Sequence, residues 1–486
     1  MVNTKLIKLL RTFSKKEITK FRDFVRSPYF NKNKNVVMLG EKVLGFYPGF
    51  NSELFTVENI YKKIFGSEVF DYFKIKNIIS DLYQLAVLFL KIRAGENKEY
   101  ENEINLLNEL HERKLDVVYS QIEKRVSDYL NVSLVKDEEY YYLRHHLGKI
   151  NTSHYKFEKS GYTFNQIQNE FDTFLDYSLI GLLRLYSKML HNKNHGNINF
   201  NMAMFENVWE YVKDKTFEGN PSCQVYKQTI LLELTRDEEE YRKLLRLKQM
   251  YSDNIPNEDM YYILQFINSF AVYRLKLGDE SYYKDRFNSF KETLERNFIP
   301  ANNFLFVNFI STFTSACMAG EYEWAEDFIN RYQKGIAPNE EKTNSLNYCK
   351  AFLAYRLKEY DKALEYFAKT NFKIYLMKVM VKSYSLRIFY EQNMHEQTIA
   401  AIDAFRHYLK SEKLIAEEQK EAHYEFLKHV TELTNLKLEG AQKSNDENLF
   451  LLGERIKSMN SNPLGAKNWL TVKIAELNAV SGGLVN

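Results

Sequence analysis

The stretch "AYRLKEYDKALEYF", residues 354–367, decides the fold. Ala354, Tyr355 and Leu357 close one apolar-periodic segment, and Lys358 and Glu359 interrupt it. Tyr360, Ala363, Tyr366 and Phe367 then recur at spacings that place them on one face of a second helix. The reading is helix, short turn, helix. "YRLK" recurs at 273–276, and the same cadence returns in "ACMAGEYEWAEDFI" (316–329) with Gly320 at the turn, and in "IFYEQNMHEQTIAAIDAF" (388–405) with Asn393 at the turn. Taking Ala325, Ala363 and Thr398 as equivalent gives intervals of 38 and 35 residues.

Proline supplies an independent count. Pro221, Pro256, Pro300 and Pro338 lie 35, 44 and 38 residues apart, and Asn257, Asn302 and Asn339 follow the last three closely. Proline cannot continue a helix but is tolerated in its first turn, so this spacing punctuates one helix pair from the next. A period in this range is the signature of stacked helix-turn-helix units.

On these residues the chain resembles the tetratricopeptide-repeat family. Ala351 and Ala363 match its small crossing positions, Tyr360 and Phe367 its aromatics, and Pro338 the closing proline of the preceding unit. The neighbouring unit departs, with Phe313 and Tyr332 at positions of the pattern. The resemblance implies an α-solenoid whose concave groove binds a peptide or partner protein.

The expected organisation, all-α, has four parts. Residues 1–95 form a compact helical domain with a basic first helix, 96–220 irregular helix pairs, 221–440 the repeats, and 441–486 capping helices and a tail. In the first part, Ser14 and Glu17 make a capping box opening a helix with Ile18, Phe21 and Val25 on one face. Pro28 pushes Ser27 out of helical geometry and ends it. Thr56 caps a short helix before Gly66, and residues 71–92 carry a strong apolar stripe from Ile75 to Phe89 that reads as the domain's central helix. "RSPYFNKNK", with its "SPYFN", resembles the start of a family of uncharacterised bacterial proteins common in Bacteroidetes. "HNKNHGNIN" (191–199) reads as a loop, "RDEEEYRK" (236–243) as an acidic first helical turn, and "NSNPLGAKN" as a break between two C-terminal helices, with Trp469 packing. "VSGGLVN" reads as a frayed tail.

Composition agrees with a folded chain. Of 486 residues, 45% are hydrophobic and 27% charged, and only 7 Pro and 18 Gly are present, too few for strands joined by tight turns. Apolar runs such as "LAVLFL" fall short of a membrane span, and the N-terminus has no signal-peptide core. A cytoplasmic protein is the expectation. Cys223, Cys317 and Cys349 are too widely spaced for a metal pair and read as buried, inert thiols.

Charge is uneven. Residues 1–34 hold ten Lys/Arg against two acids, whereas the whole chain carries only +3. Lys15, Arg22 and Arg26 share a helix face, continued by Lys32 and Lys34 around Tyr29 and Phe30. Cations interleaved with aromatics suit a nucleic-acid backbone, and five phosphate contacts predict a log–log salt slope near about −4.5. A solvated helix face or a protein contact explains the same residues, with Tyr29 and Phe30 as a turn staple.

Catalytic signatures are missing: no phosphate loop, no nucleophile elbow, no zinc helix. His191 and His195 have helical metal-site spacing but sit in the expected loop with no nearby carboxylate. His145 and His146, being adjacent, point about 100° apart on a helix. The expectation is a scaffold or adaptor with no catalysis, cofactor or metal. Its candidate groove residues are Asn344, Asn347, Lys350 and Arg356. The alternative is a nucleic-acid-associated regulator using the basic N-terminal face.

Overall fold

The computed structural model describes residues 3–66, 69–96, 98–133, 135–155, 163–196, 198–439 and 445–482. Among them the chain is all-α, with 23 α-helices and one pair of two-residue strands. It forms two compact units, Met1–Ser133 with Tyr140–Phe174, and Leu134–Glu139 with Leu175–Asn486.

The first unit begins with α1 (Lys5–Leu10), α2 (Lys15–Arg26), α3 (Lys34–Leu44), α4 (Val57–Phe65) and α5 (Tyr72–Glu96). The capping box is present: Ser14 Oγ accepts from the Glu17 amide, and the Glu17 carboxylate accepts from the Ser14 amide at 2.8 Å. α2 stops where Ser27 turns extended at ψ 119°, before Pro28. Thr56 caps α4, and Gly66 ends it with φ +71°. The stripe on α5 buries Ile75, Ile78, Leu82, Ala86 and Phe89, and α1, α2 and α3 pack on it. α6 (Glu99–Glu112) and α7 (Asp116–Val132) pair as a hairpin, with Lys114 at the turn in left-handed conformation. Leu107, Tyr119 and Val126 from this pair share a core with Leu143 and Leu147 of α8 (Glu138–Tyr155).

α9 (Thr163–Gly196) corrects the expected loop, because helix continues through His191 and Asn194 to Gly196. Turn-forming residues stay helical here because their side chains are anchored. Asn192 Nδ2 donates to the Lys188 carbonyl, and Asn194 Nδ2 donates to the Glu233 carboxylate at 2.8 Å. A side-chain bond to a neighbouring helix outweighs a local preference of a few tenths of a kcal/mol per residue.

After α10 (Phe205–Val212), the second unit contains five helix pairs in chain order: α11 (Pro221–Thr235) with α12 (Glu238–Met250), α13 (Asn257–Lys276) with α14 (Tyr282–Glu295), α15 (Phe306–Met318) with α16 (Tyr322–Tyr332), α17 (Lys342–Arg356) with α18 (Tyr360–Ala368), and α19 (Tyr375–Glu391) with α20 (His395–Ser411). Each also touches the next, through α12 on α13, α14 on α15, α15 on α17, and α18 on α19. The four punctuating prolines all precede a first helix: Pro221 occupies its first turn, Pro256 its N-cap, and Pro300 and Pro338 lie in the approaches to α15 and α17. Asp237 N-caps α12 ahead of Glu238, Glu239 and Glu240, so the acidic run is a first turn.

The turns repeat in backbone detail. Gly278, Gly320, Lys358 and Asn393 all have positive φ, and each amide donates to the carbonyl three residues back. The next amide reaches five residues back, as in Glu321 to Ala316 and Glu359 to Ala354. This is the Schellman arrangement, which satisfies carbonyls left over at a helix end. The two "YRLK" segments are not equivalent, however. The left-handed residue is the motif's own Lys358 in one, but Gly278, two residues beyond the motif, in the other. Ala316, Ala351, Ala325 and Ala363 are fully buried, which lets the pairs approach, and Phe309, Phe313, Tyr348 and Phe352 fill the space beside them. Burying each ring contributes roughly 2–3 kcal/mol. Two short parallel strands, Phe304–Leu305 and Ile336–Ala337, run in the approaches to α15 and α17.

The C-terminal helices are α21 (Glu417–Glu439), α22 (Asn445–Lys457) and α23 (Ala466–Gly482), with a 3-10 turn, Pro463–Gly465, between the last two. The break therefore falls at the expected "NSNPLGAKN". Trp469 packs against Tyr390 and Phe426, at 5.2 and 6.2 Å between ring centroids. The end of the expected frayed tail, 483–486, lies outside the described residues.

Candidate functional site

The basic face of α2 is partly spent on its own unit. Arg26 Nε meets Glu41 Oε1 at 2.6 Å, and Arg22 Nε lies 4.0 Å from Glu41 Oε2, tying α2 to α3. Lys15, Lys32 and Lys34 remain exposed and form no ion pair among the described residues. Phe30 stacks on Phe24 at 4.1 Å, whereas Tyr29 is 87% exposed. One aromatic of the predicted pair is thus a staple, and the other faces solvent with its ring edge-on to Phe30.

On α17 the four predicted groove residues separate. Asn344 Nδ2 donates to the Asn371 carbonyl and its Oδ1 accepts from the Asn371 amide, so this side chain braces the segment after α18. Asn347 does the same for Lys369 at 3.2 Å. Lys350 lies over the Tyr366 ring at 5.6 Å. Arg356, at the far end of α17, faces elsewhere and lines a cavity.

That cavity, about 350 Å³, is bounded by Glu280 between α13 and α14, by the ends of α15 and α17, by the start of α18, by α19, and by the 463–465 turn and α23. The C-terminal segment is fastened across it. Asn462 Nδ2 donates to the Leu275 carbonyl at 3.1 Å, Asn468 Nδ2 to the Gly278 carbonyl at 2.9 Å, and Arg387 Nη2 to the Leu464 carbonyl at 2.9 Å.

The charge inside is divided. At one end Glu391 accepts from Trp469 Nε1 and Lys473 Nζ, and Lys473 also bonds Glu476, so one ammonium serves two carboxylates. At the other end Arg356, Lys358 and Arg387 line the wall, and none forms an ion pair among the described residues. Arg387 is 3% exposed and its guanidinium lies 5.2 to 5.7 Å from the rings of Tyr384, Phe426 and Trp469. The Nε atoms of Arg356 and Arg387 are buried without a hydrogen-bond partner. Arg286, behind Tyr283 and Tyr384, also has a buried, unpartnered Nε. Burial pushes the Tyr283 and Tyr384 hydroxyls up from their ordinary range, opposed by the nearby arginines, so both stay protonated donors.

The remaining titratable candidates are structural. His191 Nδ1 lies 2.9 Å from Glu233, which corrects the expectation of no nearby carboxylate and places this histidine in a helix-to-helix contact. Among the described residues no group of three or more His, Cys, Asp or Glu could hold a metal ion. The three cysteines are buried, and desolvation pushes the Cys223 and Cys317 thiols up to about 12. At that value a thiol is unreactive. Among the described residues no helix is long and apolar enough to cross a membrane.

The sequence singles out Arg356 for a partner groove, not for this cavity, and does not single out Arg387, which sits mid-helix in "SYSLRIFY" with apolar neighbours on both sides. An arginine inside an otherwise core-forming helix was the available signal. None of the protein-family models, curated proteins or solved structures compared with the chain matches it.

Proposed function

We propose that the protein is a non-catalytic scaffold or adaptor, bacterial and cytoplasmic, whose helix pairs form a tetratricopeptide-like solenoid holding a peptide or partner protein in a groove lined by the first helix of each pair. The observation that carries this reading is the succession of five pairs, four of them joined by the same left-handed turn. Stacked pairs of this kind present an extended surface suited to peptide recognition. Lys350 and Arg356 are its candidate contacts, while Asn344 and Asn347 hold the wall in shape.

A second reading rests on Lys15, Lys32, Lys34 and the exposed Tyr29, which together suit a nucleic-acid backbone. Three free cations give a salt slope near about −3. One experiment separates the two: affinity capture with full-length protein and with the Lys15→Glu, Lys32→Glu, Lys34→Glu variant, with and without nuclease. Arg22 and Arg26 are left intact because reversing them would set like charges against Glu41. A discrete partner kept by the variant after nuclease is expected. Recovery that needs both nucleic acid and the lysines would replace the adaptor reading with the second.

A further inference from the structure

The arginine end of the cavity sets Arg356, Lys358 and Arg387 against a single carboxylate, Glu280, and none of the three cations forms an ion pair among the described residues. Arg356 and Arg387 both line this cavity, beside Tyr384. Two cations brought together in a low-dielectric pocket repel one another and lose hydration, and an unpaired buried charge is strongly destabilising. Holding the Leu464 carbonyl and lying against the Tyr384, Phe426 and Trp469 rings accounts for part of Arg387, while the Nε atoms of Arg356 and Arg387 keep no hydrogen-bond partner. Glu280 at the rim is the one acid of the lining outside the Lys473 cluster.

We propose that this cavity is a binding site for the phosphate group of a small molecule, held by Arg356 and Arg387 with Lys358 at the rim. Guanidinium groups present forked donors that match phosphate oxygens two at a time, and the protonated Tyr384 hydroxyl adds a further donor. Tyr355, Tyr360 and Trp469 on the lining supply flat apolar surface for the rest of the ligand. The volume of about 350 Å³ suits a small molecule. Arg356 is common to this cavity and to the candidate groove contacts, whereas Lys358 and Arg387 belong to the cavity alone, and phosphate binding is read whether or not the groove binds a peptide.

Isothermal titration of the full-length protein with inorganic phosphate, adenosine monophosphate and adenosine tests this. Saturable binding of phosphate or the monophosphate is expected, with none for adenosine. Equal affinity for the two anions identifies free phosphate as the source, and a preference for the monophosphate identifies an ester. Arg387→Gln removes the Leu464 contact and endangers folding, so Arg356→Gln and Lys358→Gln are the variants to use. Arg356→Gln should weaken binding by about tenfold or more, as loss of a charge-assisted contact does. Saturable binding of neither anion, equal binding of adenosine, or wild-type affinity in both variants would overturn the proposal.

Discussion

His423 shows how the buried arginine reaches beyond the cavity. It lies 5.7 Å from the Phe405 ring, with Nδ1 buried and unpartnered. Burial, and then the positive charge of Arg387, push its imidazole from 6.5 down to about 4. Between those values the folded protein binds fewer protons than the unfolded chain, so stability is full above pH 6.5 and falls as pH drops towards 4. The loss between roughly pH 7 and pH 5 should be about 2 kcal/mol from this residue. Urea denaturation at the two pH values measures it, and His423→Leu should flatten the difference by that amount. An undiminished pH dependence in the variant would place the titration on other groups. Nothing in "EAHYEF" marks this histidine, because desolvation and Arg387 come from other helices.

At the scale of the element, the repeated turn carries the most information. The pairs are alike where the backbone must reverse, and differ in the side chains that fill the space between. Gly320 has φ +80°, and a Cβ added there would meet nothing within 4 Å. Gly320→Ala therefore isolates backbone conformation from packing and should destabilise the protein by about 1 kcal/mol, read as a lowered midpoint in urea with unchanged slope. No change would mean the turn is not left-handed in solution. Lys358 and Asn393 adopt the same conformation without being glycine. That is why the repeat is faint in sequence: position, and not residue type, is what the turn preserves. The α9 terminus makes the opposite point. "HNKNHG" reads as loop by propensity, yet His191 and Asn194 bond Glu233 and Asn192 bonds Lys188 within a continuous helix.

Across the second unit, two asparagines connect parts of the chain far apart in sequence. Asn462 and Asn468 bond the turn between α13 and α14 over separations of 187 and 190 residues. Each half-buried bond should contribute about 1 kcal/mol. The double variant Asn462→Ala, Asn468→Ala should speed amide exchange in α23 and around Gly278 while leaving α17 and α18 protected, as hydrogen exchange with mass spectrometry can resolve. Uniform acceleration would instead mean that the unit opens as one body.

Sequence alone determined what acts over a few residues: that the chain is all-α, the turns at Gly320, Lys358 and Asn393, the capping box at Ser14, and the buried stripe of α5. Those features follow from side-chain periodicity and from the backbone demands of proline and glycine, which are local. Tertiary structure decided that Arg22 and Arg26 spend their charge on Glu41, that Asn344 and Asn347 brace a loop, and that Arg356 and Arg387 line one cavity with α23. Such meetings depend on which helix ends converge after packing, and no local spacing records a contact between residues 278 and 468 or between 387 and 464.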